Sequence, residues 1–87
     1  MYLHLGQDTV VSFDEIIGIF DLDTTTVSKI SRGYLTKAEK SGKVINVSMD
    51  LPKSFVLCRK EDGTENIYLS QISSTTLLKR ARETYEF

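Results

Sequence analysis

The sequence predicts an α+β fold: a small, mostly antiparallel sheet with one long amphipathic helix and a short C-terminal helix. Three observations lead there. The chain has 87 residues, which makes residues 1–87 a single domain. The spacing of apolar residues changes along it, from the alternation of strands to the three- and four-residue recurrence of helices. An Asp62-Gly63 pair between two apolar runs marks a tight hairpin.

Tyr2-Leu3-His4-Leu5 alternates and reads as a strand, with Leu3 and Leu5 on one side. Gly6-Gln7-Asp8 is a turn, and Thr9-Val10-Val11-Ser12 is a second short strand. Ile16 to Phe20 is a stronger, β-branched strand, in which Gly18 signals a bulge or a close backbone approach. Asp23 and Thr24 can cap the long helix, predicted from Thr25 to Ser41 with Val27, Ile30, Tyr34 and Ala38 as its apolar stripe. Gly33 weakens it in the middle. Gly42 supplies its C-cap, and Lys37 and Lys40 suit its negative end. Val44 to Val47 is the next strand, and Met49 to Lys53 interrupts regular structure because Pro52 cannot donate to a ladder. Ser54–Arg59 and Asn66–Leu69 pair across the Asp62-Gly63 turn. Ser73 or Ser74 caps the last helix, with Leu77, Leu78 and Ala81 inward and Lys79, Arg80 and Arg82 outward.

Three of these strands, Ile16–Phe20, Phe55–Cys58 and Ile67–Leu69, are apolar on both faces, whereas a sheet with one wet face alternates. The long helix covers one face. The other is expected to meet the C-terminal helix and, in part, another subunit. The core is expected to place Phe55, Leu57, Ile67 and Leu69 beneath Val27, Ile30 and Tyr34.

Composition narrows the function. Hydrophobic residues are 40% and charged residues 26%, the balance of a folded globular domain. No apolar run approaches the roughly 18 residues of a membrane span, and the N-terminus lacks the basic and apolar regions of a secretory signal. The one cysteine excludes an intrachain disulfide. A cytoplasmic protein is expected.

The catalytic inventory is poor. His4 is the one histidine, so no metal site is expected. Cys58 lies in an apolar run and reads as a small core residue. Asp21 and Asp23 bracket Leu22 as turn and cap residues, and Thr24-Thr25-Thr26 lacks the glycines and lysine of a phosphate loop. A non-enzymatic protein without a cofactor is the expectation.

What remains is charge. Residues 1–23 carry five acids and no base, while residues 24–87 carry all eleven bases against seven acids. Such asymmetry steers partners or aligns subunits head to tail. Ten of the bases form three groups: Lys29, Arg32, Lys37 and Lys40 on the long helix; Lys53, Arg59 and Lys60 around the hairpin; and Lys79, Arg80 and Arg82 near the end. Each is either an ordinary solvated face or a phosphate contact, and the helix group could instead meet an acidic face such as the one residues 1–23 offer.

Several strings taken together resemble the extracellular matrix regulator (Rem) family of Gram-positive bacteria, most nearly its B member. They are Tyr2-Leu3-His4-Leu5-Gly6, Ile19-Phe20-Asp21, Glu39 to Asn46, Asp50 to Phe55, and Tyr68 to Ser73, and they span nearly the whole chain. The resemblance implies a subunit that assembles into rings. For the A member it implies a DNA-binding activator of biofilm-matrix genes, whose arginines after the middle strand contact DNA. The matching stretch here, Met49-Asp50-Leu51-Pro52-Lys53-Ser54, holds one base, Lys53, and one acid, Asp50. Two functions follow: a homo-oligomeric regulator that binds double-stranded DNA through repeated basic clusters, with Lys53, Arg59, Lys60, Lys29 and Arg32 as candidate contacts; or a protein-interaction partner that co-assembles with a DNA-binding relative and does not itself touch DNA.

Overall fold

The structure, a computed structural model, describes the backbone of residues 1–22 and 29–85, and the side chains there except those of residues 29–32, 34, 84 and 85. The order is β1 (Tyr2–Gly6), β2 (Thr9–Ser12), a 3-10 turn (Phe13–Glu15), β3 (Ile16–Asp21), α1 (Lys29–Lys40), β4 (Val44–Asn46), β5 (Ser54–Arg59), β6 (Glu65–Ser70) and α2 (Ser74–Tyr85). β1 and β2 form an antiparallel hairpin by themselves. The other strands make a four-stranded sheet in the order β3-β5-β6-β4, antiparallel except for the parallel β4–β6 pair.

Local chemistry explains the joints. Gly63 N–H donates to the Lys60 carbonyl and Lys60 N–H to that of Thr64, while Gly63 takes φ +89°; the β5–β6 hairpin thus closes around the glycine that tolerates this conformation. The Asp62 carboxylate accepts from Thr64 N–H, and this bond holds it below the usual carboxylate range. α1 ends in a Schellman arrangement, with Lys43 N–H on the Ala38 carbonyl and Gly42 N–H on that of Glu39. Ser73 caps α2 by accepting from Thr76 N–H through Oγ. The β3 register shifts between Ile16 and Gly18, which is the bulge expected at Gly18. A Cβ there would stand 2.7 Å from the Phe20 ring, and that ring stacks on Phe55 with centroids 4.8 Å apart.

Side-chain alternation along β5 divides the core into two layers. Phe55 and Leu57 face α1, packing with Ile67, Leu69, Val44, Leu22, Leu35 and Ala38. Val56 and Cys58 face the other way, toward Leu3, Leu5 and Val11 of the β1–β2 hairpin and Leu77 of α2. The expected core positions Phe55, Leu57, Ile67 and Leu69 therefore do lie on the face that α1 covers.

Two expectations, the long α1 and an inward Leu78, are corrected. α1 spans 12 residues, the same as α2, so it is not a long helix beside a short one. The predicted N-terminal part at residues 25–28, the caps Asp23 and Thr24, Val27, and the side chains of Ile30 and Tyr34 lie outside what is described. The sheet is mostly antiparallel as expected, with one parallel pair, β4 beside β6, at its edge. On the second face α2 packs as expected, and the β1–β2 hairpin packs beside it. Leu78 is 50% exposed, since the inward stripe runs Ser74, Leu77 and Ala81, and the next residue is turned about 100° around the helix.

Candidate binding surface

The two ends of β5 carry different chemistry. At its start, Lys53 N–H donates to the Ser70 carbonyl, and the Lys53 carbonyl accepts from Leu22 N–H. The backbone is pinned there while the ammonium remains exposed. Just before it, the 47–53 segment projects from the sheet. It is held at its other end by Val47 N–H on the Leu69 carbonyl, and its bend is braced by Asp50 N–H on Ser48 Oγ. Its tip bears Met49 and Leu51, 105% and 84% exposed.

At the far end, Arg59 and Lys60 line an open cleft of about 690 Å³ with Ser12, Asp14, Glu15, Ile17, Glu61 and Asp62. Arg59 Nη2 lies 2.7 Å from Glu65 Oε2, a largely exposed pair that contributes at most about 1 kcal/mol. Four carboxylates share the cleft walls with these two bases, and the field there does not favour phosphate. An extended strand separates Lys53 from Arg59 by about 20 Å, so the structure does not bring Lys53, Arg59 and Lys60 together.

The side chains of Lys29 and Arg32 lie outside what is described. Further along, Lys37, Lys40 and Lys43 are exposed around the end of α1 and the start of β4, a basic flank in which the sequence marked the first two but not Lys43. Lys79, Arg80 and Arg82 are exposed on α2, and Arg80 Nη1 donates to the His4 carbonyl at 3.4 Å.

Neither nucleophile candidate is set up for chemistry. Cys58 is buried, and burial, with a smaller push from the Glu15 carboxylate, raises its thiol to about 11. Burial likewise raises the Tyr68 hydroxyl, with Cys58 and Glu15 adding to the effect. His4 is exposed, with Nε2 donating to the Gln7 carbonyl at 2.6 Å. Among the described residues no group of three or more His, Cys, Asp and Glu could hold a metal ion. Nor is any helix there long and apolar enough to cross a membrane.

The class defined by this fold and surface is a small α+β domain with both sheet faces closed. Its exposed charges and several exposed apolar side chains lie at sheet ends and edges. The chain belongs to the family described as extracellular matrix regulatory protein A-like, whose model matches residues 2–81. It is 42% identical over 86 residues to extracellular matrix regulatory protein B of Bacillus subtilis (strain 168), covering 99% of this chain and 96% of that protein.

Proposed function

We propose that this protein is a non-enzymatic, cytoplasmic regulator of extracellular-matrix and biofilm gene expression that acts as a homo-oligomer, the ring of its resemblance, and contacts DNA through basic groups repeated around it. The single observation that carries the reading is the full-length similarity to a protein named as an extracellular matrix regulatory protein. The placement of charge favours some of the candidate contacts over others. Lys53, pinned at its backbone and exposed, is the strongest candidate, joined by Lys29 and Arg32 on α1. Arg59 and Lys60 rank below them because Glu65 and the cleft carboxylates compete with phosphate. A few cations per subunit bind weakly; repeated in an assembly, they gain by effective concentration.

A second reading is favoured by Asp50, which stands in the loop with Lys53, and by the Arg59–Glu65 pair. In it the protein co-assembles with a DNA-binding relative and leaves DNA to that partner. Fluorescence anisotropy with duplex DNA across a salt series separates the two. The first reading expects affinity that falls steeply with salt and a marked loss in Lys53→Glu. The absence of binding to DNA at low salt would instead favour the second reading.

A further inference from the structure

We infer that Met49 is a site of reversible oxidation, at which a peroxide turns the tip of the 47–53 loop from apolar to polar and weakens the contact that Lys53 makes beside it. The second half of the inference rests on the DNA contact proposed above; the chemistry at the sulfur stands apart from that reading.

The sulfur side chains are those of Met1, Met49 and Cys58. An oxidant attacks the sulfur it can reach, and a thiol chiefly as its thiolate. Cys58 is buried and its thiol is raised to about 11, so near neutral pH it offers neither access nor thiolate. Met1 is about half exposed. Met49 is as accessible as an unfolded residue and belongs to neither apolar layer of the core. The fold keeps it there. Val47 N–H on the Leu69 carbonyl and Lys53 N–H on the Ser70 carbonyl pin the loop on both sides, and Asp50 N–H on Ser48 Oγ fixes the bend between them. A tip held in this way cannot fold Met49 back onto the sheet. Beside it lies an open hollow of about 530 Å³ lined by residues 46–52, through which an oxidant, and later a reductase, reaches the sulfur.

The chemistry balances with a peroxide and a dithiol. The thioether sulfur attacks the O–O bond, an S–O bond forms, and the O–O bond breaks. The sulfur loses two electrons, and the leaving hydroxide takes the remaining proton and departs as water. A reductase dithiol later removes the oxygen as water and becomes a disulfide. Met49 and Leu51 are the most exposed large apolar side chains among the described residues, so apolar character at the tip is what the reaction removes. The sulfoxide also brings a strong acceptor into a loop that already carries Asp50. A phosphate approaching the exposed Lys53 ammonium then meets a competitor.

The test treats the full chain with hydrogen peroxide and maps added oxygen by mass spectrometry. Met49 is expected to oxidise within about threefold of the rate in a synthetic peptide of residues 46–54, with Cys58 unmodified over the same interval. A methionine sulfoxide reductase pair with a dithiol reductant is expected to restore the starting mass. Anisotropy with duplex DNA at low salt reads the consequence. The oxidised protein should bind at least threefold more weakly and recover on reduction. Met49→Gln should be weakened without oxidant, and Met49→Leu should no longer respond to peroxide. A rate at Met49 tenfold or more below that of the peptide overturns the site. Complete oxidation of Met49 with unchanged affinity overturns the switch, as does a Met49→Leu protein that peroxide still weakens. A wild type that binds no DNA before treatment overturns the DNA reading and this consequence of it, while the rate and its reversal still decide the site.

Discussion

The Ser70 hydroxyl donates to the Leu5 carbonyl at 2.6 Å in a buried setting, joining residues 65 positions apart and seating the β1–β2 hairpin on the end of β6. The same hydroxyl accepts from Ile72 N–H, so one oxygen serves both the hairpin and the turn into α2. Ser70→Ala leaves the Leu5 carbonyl and the Ile72 amide without this partner in a dry site. The expected loss is about 1–3 kcal/mol, read by urea denaturation, with Ser70→Thr retaining part of it. A Ser70→Ala midpoint equal to wild type would show that the hairpin is seated by apolar packing alone.

Leu77 is fully buried against the same hairpin. Leu77→Ala is expected to cost about 2–5 kcal/mol, whereas the neighbouring Leu78→Ala, on the exposed side of α2, should stay within about 0.5 kcal/mol. Thermal melts of the pair measure the contrast directly.

Gly6 takes φ +118°, and a Cβ placed there would lie 2.9 Å from the Gln71 side-chain amide. Gly6→Ala should therefore destabilise through backbone strain of about 1–3 kcal/mol, with further loss as Gln71 is displaced. Gly33→Ala, in the exposed middle of α1 with open space around it, should instead stabilise by about 0.4–1 kcal/mol. Opposite signs at the two glycines are the result to look for in denaturant titrations.

Alkaline pH should weaken the fold through Cys58. Its thiol titrates at about 11 in the folded chain against 9.0 for a free thiol, so the folded state holds its proton longer than the unfolded state. The resulting stabilisation is complete below about pH 9 and is lost as pH rises through 11. Stability measured from pH 8 upward should fall less steeply in Cys58→Ala than in wild type, and the native thiol should resist alkylation at pH 8. Rapid modification of the folded protein would contradict this burial.

Elements fixed by neighbouring residues were legible in the sequence. The Asp62-Gly63 turn, the Gly42 cap and the Gly18 bulge each follow from what a few adjacent residues allow. Pairings that depend on distant residues were not. Nothing in Val44-Ile45-Asn46 says that its partner is β6 rather than the nearer β5, or that it runs parallel. Leu3 and Leu5 showed which side of β1 is apolar without showing what that side covers, so the second face of the sheet was assigned to the C-terminal helix and, in part, to another copy. The site was legible as an inventory of charges but not as a geometry. Lys53 and Arg59 look close in the sequence, yet a strand of this length holds them about 20 Å apart. Glu65, which engages Arg59, becomes its neighbour only through the hairpin register.

The strand order also governs when this chain can fold. β4 has no partner until β6 exists, and the seat of the β1–β2 hairpin, begun by Val56 and Cys58, is incomplete until Ser70 and Leu77 have been made. During synthesis β1 can pair with β2 and β3 with β5 within the first sixty or so residues, but β4 stays without its partner and the hairpin's packing stays incomplete until β6 and α2 follow. High contact order of this kind slows folding and lengthens the exposure of bare strand edges to other chains. A chain that ends before β6 would therefore leave β4 unpaired and the apolar side of the β1–β2 hairpin only partly covered.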